Sequence, residues 1–82
     1  MRLDLALAGL RLFKSRTQAQ AAIAAGSVLL NGRAAKASDT VRPGDRLRLT
    51  HAHGARTLEL LALPSRSLTR TRAHELVREI EG

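Results

Sequence analysis

A helix with recognisable signals at both ends is the feature that most restricts how this chain can fold. Ser15 is a favourable N-cap residue, and Gln18 three positions later completes the capping-box pattern. An alanine-rich apolar stripe that includes Ile23 follows, and Gly26 can adopt the left-handed conformation that ends a helix. We therefore predict a helix over residues 16–25, with one face packed on the rest of the chain.

Directly after this helix, the hydrophobic period changes to that of strands. Residues 28–30 form a short apolar run, and Asn31-Gly32 is a strong signal for a two-residue hairpin turn. The other predicted elements are helices at residues 3–10 and 73–80 and strands at residues 33–36, 46–50 and 57–63.

These elements follow the order helix, helix, three or four short antiparallel strands and helix, which predicts a small α+β domain. A chain of 82 residues has room for one hydrophobic core. We expect residues 1–50 to form the main unit. Residues 51–82 would add a strand and the C-terminal helix to the same domain.

The charge of the chain is strongly positive and unevenly distributed. There are 14 basic and 7 acidic residues, a formal net charge of +7, and residues 1–48 hold nine of the basic residues but only three acids. Such an excess favours a polyanionic partner, above all nucleic acid. Phe13 is the only aromatic residue besides three histidines. A surface that stacks bases on exposed rings is therefore disfavoured, and folded RNA is the preferred ligand.

The start of the second helix is the strongest candidate for a phosphate site. Unpaired backbone N–H groups and the positive end of the helix dipole meet there, and Lys14 and Arg16 flank the capping Ser15. Gln20 lies one turn after Arg16 on the same face. Arg11 can reach the same patch from the turn between the helices.

The hairpin tip is the second candidate, where Asn31, Gly32, Arg33 and Lys36 would contact a sugar-phosphate chain or enter a groove. These residues also have a purely structural explanation. The turn alone requires the Asn-Gly pair, and cations on an edge strand discourage aggregation.

No residue pattern predicts catalysis or a metal site. His51 and His53 form a His-x-His pair, but the chain has no cysteine, and Asp4, Asp39 and Asp45 are isolated in the sequence. No serine or threonine belongs to a recognisable triad motif, and no glycine-rich phosphate loop is present. We therefore expect a binding module that is not an enzyme and that needs neither cofactor nor metal. Since no apolar run is long enough to span a membrane, we expect a cytoplasmic protein without a membrane partner.

Several motifs, taken in order, resemble the ribosomal-protein S-four type RNA-binding domain over about residues 1–49. They are Arg2-Leu3-Asp4, Arg11-Leu12-Phe13-Lys14-Ser15-Arg16, Gln20, Gly26, Val28, Asn31-Gly32 and Val41-Arg42-Pro43-Gly44-Asp45. The resemblance implies the alpha-L RNA-binding motif, in which two helices pack on a small antiparallel sheet and one basic face binds RNA. That face would contain Arg2, Arg11, Lys14, Ser15, Arg16, Gln20, Asn31, Gly32, Arg33 and Lys36.

The second half of the chain resembles one branch of that family. Residues 56–63 and the predicted last helix look like the stand-alone ribosome-associated members, the heat-shock-protein-fifteen and RqcP-like quality-control factors. This resemblance implies binding to ribosomal RNA and tRNA on a large ribosomal subunit that carries a stalled nascent chain. A nascent-chain tailing factor is then a possible protein partner, and we expect the chain itself to be a monomer.

Two other functions remain compatible with the sequence. The first two helices, interpreted as a helix-turn-helix, would bind duplex DNA, although the alanine-rich second helix leaves mainly Arg16 and Gln20 to read bases. Alternatively, Leu76, Val77 and Ile80 would form the protein-interaction surface of an accessory factor.

Overall fold

A computed structural model describes residues 1–64 and 74–80 of the chain. The elements are α1 (Leu3–Gly9), α2 (Arg16–Ala24), β1 (Val28–Leu30), β2 (Arg33–Ala34), β3 (Arg46–His51), β4 (Gly54–Leu60), a 3-10 turn (His74–Leu76) and β5 (Val77–Ile80). The five strands form one antiparallel sheet in the order β2-β1-β3-β4-β5. The predicted α+β class, with two N-terminal helices on a small antiparallel sheet, is confirmed.

The ends of α2 follow their sequence signals. Ser15 has an extended backbone and its Oγ accepts a hydrogen bond from the Gln18 N–H at 3.1 Å, so it is the N-cap. Gly26 has a φ of 80°. The N–H groups of Gly26 and Ser27 each donate to a carbonyl oxygen of the last helical turn at 3.0 Å. These two bonds form a Schellman motif, in which glycine is the favoured left-handed residue.

The same motif ends α1, but with an arginine in the left-handed position. The Arg11 N–H donates to the Ala8 carbonyl oxygen at 3.1 Å, and the Leu12 N–H donates to the Leu7 carbonyl oxygen at 3.2 Å. Arg11 has a φ of 61° and takes the place that Gly26 has in α2. A left-handed conformation costs a residue with a Cβ atom about 1–2 kcal/mol. The turn between the helices is therefore strained at Arg11.

One hydrophobic core lies between the helices and one face of the sheet. In β3, Leu47 and Leu49 are buried and alternate with the exposed Arg46 and Arg48, as predicted for a half-buried strand. Each buried leucine contributes about 1.5–3 kcal/mol through the hydrophobic effect. The buried members of the core are Leu3, Ala6, Leu7, Leu10, Ala19, Ile23, Val28, Leu30, Val41, Leu47, Leu49, Leu58 and Leu60.

Both predicted hairpins form, with different strand limits in the second. Asn31 and Gly32 have φ values of 52° and 85°, so both central residues of the first turn are left-handed, as a type I′ turn requires. In the second hairpin the ladder continues until His51 pairs with Gly54. The predicted polar turn over residues 51–55 is thus shorter, and β4 begins and ends three residues earlier than the predicted strand at 57–63.

The predicted C-terminal helix is wrong over residues 74–80. His74–Leu76 form a single 3-10 turn, and Val77–Ile80 form β5, which pairs with residues 57–60 of β4. Spacing of apolar residues suggested a helix, but the edge of β4 offers backbone hydrogen bonds to a segment that contains β-branched residues. Ala73, the remaining residue of that prediction, lies outside the described part of the chain.

Candidate nucleic-acid interface

A buried carboxylate holds three of the predicted site residues together. Asp4 lies in the first turn of α1, and its side chain is 0% exposed. Its Oδ2 accepts hydrogen bonds from Gln20 Nε2 at 2.8 Å, Arg16 Nε at 2.9 Å and Arg2 Nη2 at 3.2 Å. Its Oδ1 accepts from the Leu5 N–H at 2.8 Å and from Arg2 Nε at 3.2 Å. Asp4, Arg2, Arg16 and Gln20 are hereafter named the Asp4 cluster.

The cluster keeps the Asp4 carboxyl ionised although water is excluded from it. Burial raises the pKa of this carboxyl, because the protein interior solvates charge poorly. The hydrogen bonds from Gln20 and then from the two arginines and the Leu5 N–H outweigh that effect, and they hold the pKa well below its ordinary value of 3.8. The first turn of a helix also favours negative charge. Asp4 is therefore a fixed anion beneath the protein surface.

Both arginines of the cluster remain accessible from outside. The side chains of Arg2 and Arg16 are 46% and 45% exposed. Arg16 binds Asp4 through Nε only, and its terminal nitrogens make no hydrogen bond to residues 1–64 or 74–80. A guanidinium held in this way can still present two N–H-bearing nitrogens to a phosphate group.

The turn that leads into α2 adds two more cations to this region. Arg11 and Lys14 are exposed, and neither forms an ion pair with any residue that the structure describes. Ser15 caps the helix through its Oγ and keeps its hydroxyl hydrogen for a further partner. Lys14, Ser15 and Arg16 are consecutive at the N-terminus of α2, where the free N–H groups and the helix dipole favour an anion.

Backbone contacts place Lys36 close to the start of α1. The Leu3 N–H donates to the Asp39 carbonyl oxygen at 2.7 Å, and the Asp4 N–H donates to the Ala37 carbonyl oxygen at 3.3 Å. Asp39 in turn accepts a hydrogen bond from the Lys36 N–H at 2.9 Å. The Lys36 side chain is exposed and, within the described ranges, has no ion-pair partner.

The hairpin tip is fixed by the sheet and not by the Asp4 cluster. The Asn31 amide nitrogen donates to Asp45 Oδ1 at 3.1 Å, and Asn31 Oδ1 accepts from the Arg46 N–H at 2.9 Å. Asn31 therefore joins the hairpin to Arg46, the first residue of β3, and to Asp45, which precedes it. Arg33 is exposed. Over the two described ranges, no side-chain hydrogen bond links Asn31, Gly32 or Arg33 to the cluster.

Sequence analysis alone does not identify Asp4 as a site residue, because no other acid lies near it in the sequence. Its partners on α2 follow 12 and 16 positions later, a separation that no local spacing rule relates to residue 4. A signal was nevertheless present. Asp4 lies between Leu3 and Ala6, which are both fully buried, so an acid occupies the core side of an apolar helix.

The arginines of β4 and β5 have acidic partners, unlike most cations of the first half. Arg56 Nε lies 2.9 Å from Glu79 Oε1, and Arg78 Nη2 lies 2.6 Å from Glu59 Oε1. These exposed pairs neutralise the far edge of the sheet.

In the described part of the chain, no three His, Cys, Asp or Glu residues are placed to hold a metal ion. None of the helices in that part has the length and hydrophobicity of a membrane span.

Comparison with known sequences shows that residues 1–47 match the S4 domain. This chain belongs to the S4 domain family. The matched S4 segment contains the whole Asp4 cluster, the start of α2 and the hairpin tip. Ten predicted site residues thus all fall within the S4 domain, while β4 and β5 lie beyond it.

A solved structure extends the similarity to nearly the whole chain. The trimeric structure of Vibrio cholerae Heat Shock Protein 15 shares 30% sequence identity with this S4 domain protein, at a TM-score of 0.89. The match covers 98% of this chain and 81% of that one. The predicted resemblance to stand-alone S4 proteins of the Heat Shock Protein 15 kind is confirmed. No curated protein matches the sequence significantly.

Proposed function

We propose that this S4 domain protein binds folded RNA and has no enzymatic activity. The observation that carries the proposal is that the cations near the start of α2 are not neutralised, unlike those of β4 and β5. Arg11 and Lys14 have no acidic partner in the described chain, and Arg16 is held by a buried acid while its side chain stays accessible. Arg56 and Arg78, in contrast, are each paired with an exposed or half-buried acid. The RNA-binding surface would contain Arg2, Arg11, Lys14, Ser15, Arg16, Gln20, Asn31, Gly32, Arg33 and Lys36.

Each part of this surface would contact RNA through a different kind of group. Free N–H groups in the first turn of α2 and the Ser15 hydroxyl would hydrogen-bond one phosphate. Lys14 supplies a mobile point charge, and Arg16 supplies a planar pair of donors. Arg33 on the hairpin would extend the footprint along the backbone. Such contacts read the shape of folded RNA and need no aromatic rings.

We further propose that the RNA ligands are ribosomal RNA and tRNA on the large ribosomal subunit, so that the protein has a ribosome-associated role in the cytoplasm. The subunit would carry a stalled nascent chain, and a nascent-chain tailing factor would be the protein partner. The similarity to Heat Shock Protein 15 over 98% of the chain supports this branch of the S4 family. In this proposal residues 1–50 form the RNA-binding unit, and residues 51–82 extend the same domain.

The RNA-binding surface can be tested with two variants of equal charge. Lys14→Gln/Arg33→Gln removes two cations from the surface, and Arg56→Gln/Arg78→Gln removes two from the far edge of the sheet. Binding to a labelled RNA hairpin is measured by fluorescence anisotropy at several salt concentrations. For the first variant, we expect the slope of log affinity against log salt to fall by about 0.9 per lost phosphate contact, and for the second no change. Equal effects of both variants would show that net charge, not this surface, determines binding.

The ribosomal role is tested by sedimentation of the tagged protein with ribosomal particles. We expect co-migration with free large subunits that carry peptidyl-tRNA, and release at high salt. Residence in the soluble fraction alone would refute the role. Light scattering of the free protein measures its oligomeric state, which we propose to be monomeric, although the Vibrio cholerae relative is described as trimeric.

Two further experiments test the alternative functions of duplex-DNA binding and protein interaction. Duplex DNA that competes as well as the RNA hairpin would favour the helix-turn-helix interpretation. A protein partner that stays bound after nuclease treatment would favour an accessory factor. Leu76 and Val77 are partly buried against the core, which reduces the suggested protein-binding surface.

A further inference from the structure

The Asp4 cluster connects two segments that both belong to the proposed RNA-binding surface. Asp4 and Arg2 lie at the start of α1, whereas Arg16 and Gln20 lie on the first two turns of α2. Five hydrogen bonds of 2.8–3.2 Å converge on one carboxylate that is 0% exposed. The buried carboxylate thus joins the start of α1 to the first two turns of α2.

This arrangement restricts the conformations of the surface side chains before any ligand arrives. An exposed arginine normally loses side-chain conformational freedom when it binds a phosphate, and immobilising one such side chain weakens binding about two- to tenfold. Arg16 has already lost part of that freedom, because its Nε donates to Asp4 at 2.9 Å while the side chain stays 45% exposed. Gln20 is restricted in the same way through its amide nitrogen.

We propose that Asp4 is a positioning residue for RNA binding. Its buried carboxylate orients Arg16, Arg2 and Gln20, so that their outer N–H groups contact the phosphate backbone with less further loss of side-chain freedom. The inference rests on the proposed function, since it concerns the same surface. Asp4 itself touches no RNA. It acts through the arginines, and it does so although its negative charge opposes the binding of a polyanion.

The proposal is testable because Asp4 would affect RNA affinity in two opposite ways, through its negative charge and through the orientation of the arginines. Asp4→Asn raises the net charge by one, so if charge alone mattered RNA affinity would increase. If Asp4 positions the arginines, affinity decreases. Glu79→Gln is the matched control, because it also removes one acid and releases one arginine, Arg56, at the far edge of the sheet.

RNA-hairpin affinity is measured for the wild type, Asp4→Asn, Arg16→Ala, the double variant and Glu79→Gln, at a temperature where circular dichroism shows each to be folded. We expect Asp4→Asn to bind about tenfold more weakly and Glu79→Gln to bind as the wild type or slightly better. When Arg16 is already replaced by alanine, Asp4→Asn should lower the RNA affinity by a clearly smaller factor. If Asp4 had only a structural role, Asp4→Asn would lower the RNA affinity by the same factor with and without Arg16.

Two results would overturn the positioning role, and they differ from failure of the proposed function. Affinity that rises in Asp4→Asn while Arg16→Ala binds weakly refutes positioning alone. Arg16→Ala that binds as the wild type refutes this part of the RNA surface, and positioning with it.

A measurement on the unmodified protein covers the case in which Asp4→Asn does not fold. By NMR, the Arg16 Nε–H should exchange with water at least several-fold more slowly than the Nε–H of the exposed Arg48, in the absence of RNA. Equal exchange rates would show that Arg16 is not held, which overturns the proposal.

Discussion

Replacing Arg11 with glycine should stabilise the protein and weaken its RNA binding at the same time. Arg11 has a φ of 61° in a Schellman motif that α2 closes with Gly26. Relief of the left-handed strain gains about 1–2 kcal/mol, and the greater freedom of glycine in the unfolded chain costs about 0.5–1 kcal/mol. The net gain is about 0–1.5 kcal/mol, and its midpoint of about 0.7 kcal/mol corresponds to a rise in Tm of about 3–6 °C for a domain of this size.

The RNA affinity of the Arg11→Gly variant should fall because one cation of the proposed surface is lost. One phosphate contact changes the salt slope by about 0.9, which is about eightfold in affinity at 0.1 M salt. Arg11→Ala is the control: it loses the same cation but keeps a Cβ atom, so it should bind RNA equally weakly without the gain in stability. Thermal unfolding by circular dichroism and anisotropy titration measure the two effects. If glycine and alanine give the same Tm, the strain argument is wrong, and if neither changes RNA affinity, Arg11 lies outside the interface.

Three further predictions concern stability. The Asp4 carboxyl has a lowered pKa in the folded state, so its contribution to stability is complete above its ordinary pKa of 3.8 and is lost progressively as the pH falls below that value. Acid titration of Asp4→Asn should therefore show a shallower loss of stability below about pH 4 than that of the wild type. Gly9→Ala would place a Cβ 2.8 Å from Pro64 Cγ, so urea unfolding should show a loss of about 1–3 kcal/mol, and an unchanged midpoint would contradict this contact. Asn31→Ala should destabilise more than Asn31→Gly, since both lose the hydrogen bonds of the side chain but only alanine is strained at a φ of 52°; the reverse order of the two melting temperatures would be inconsistent with the turn geometry.

Elements defined by local rules were predictable from the sequence. The Ser15 cap, the left-handed Gly26 and the Asn31-Gly32 turn each depend on residues within a few positions, and each is present as predicted. The alternation of buried leucines and exposed arginines in β3 was predictable for the same reason, because a strand exposes every second side chain to one face.

Features that depend on contacts between distant segments were not predictable in this way. Apolar residues 76, 77 and 80 fit a helical face, but they form a 3-10 turn and a strand because β4 offers them an edge. The role of Asp4 depends on two partners from another helix. In the candidate site, therefore, the sequence indicated the cations but not the buried acid that holds Arg2 and Arg16.

The buried acid also makes an evolutionary prediction about relatives of this chain. If position 4 changes alone, two arginines lose their common partner and a space shaped for a carboxylate is left behind, so a single substitution passes through a less stable intermediate. In relatives that lack the acid, the positions equivalent to Arg16 and Gln20 should therefore be substituted as well. Positions 4, 16 and 20 should vary together across the family, whereas Lys14, which has no described partner, should vary independently of position 4 and can exchange with arginine.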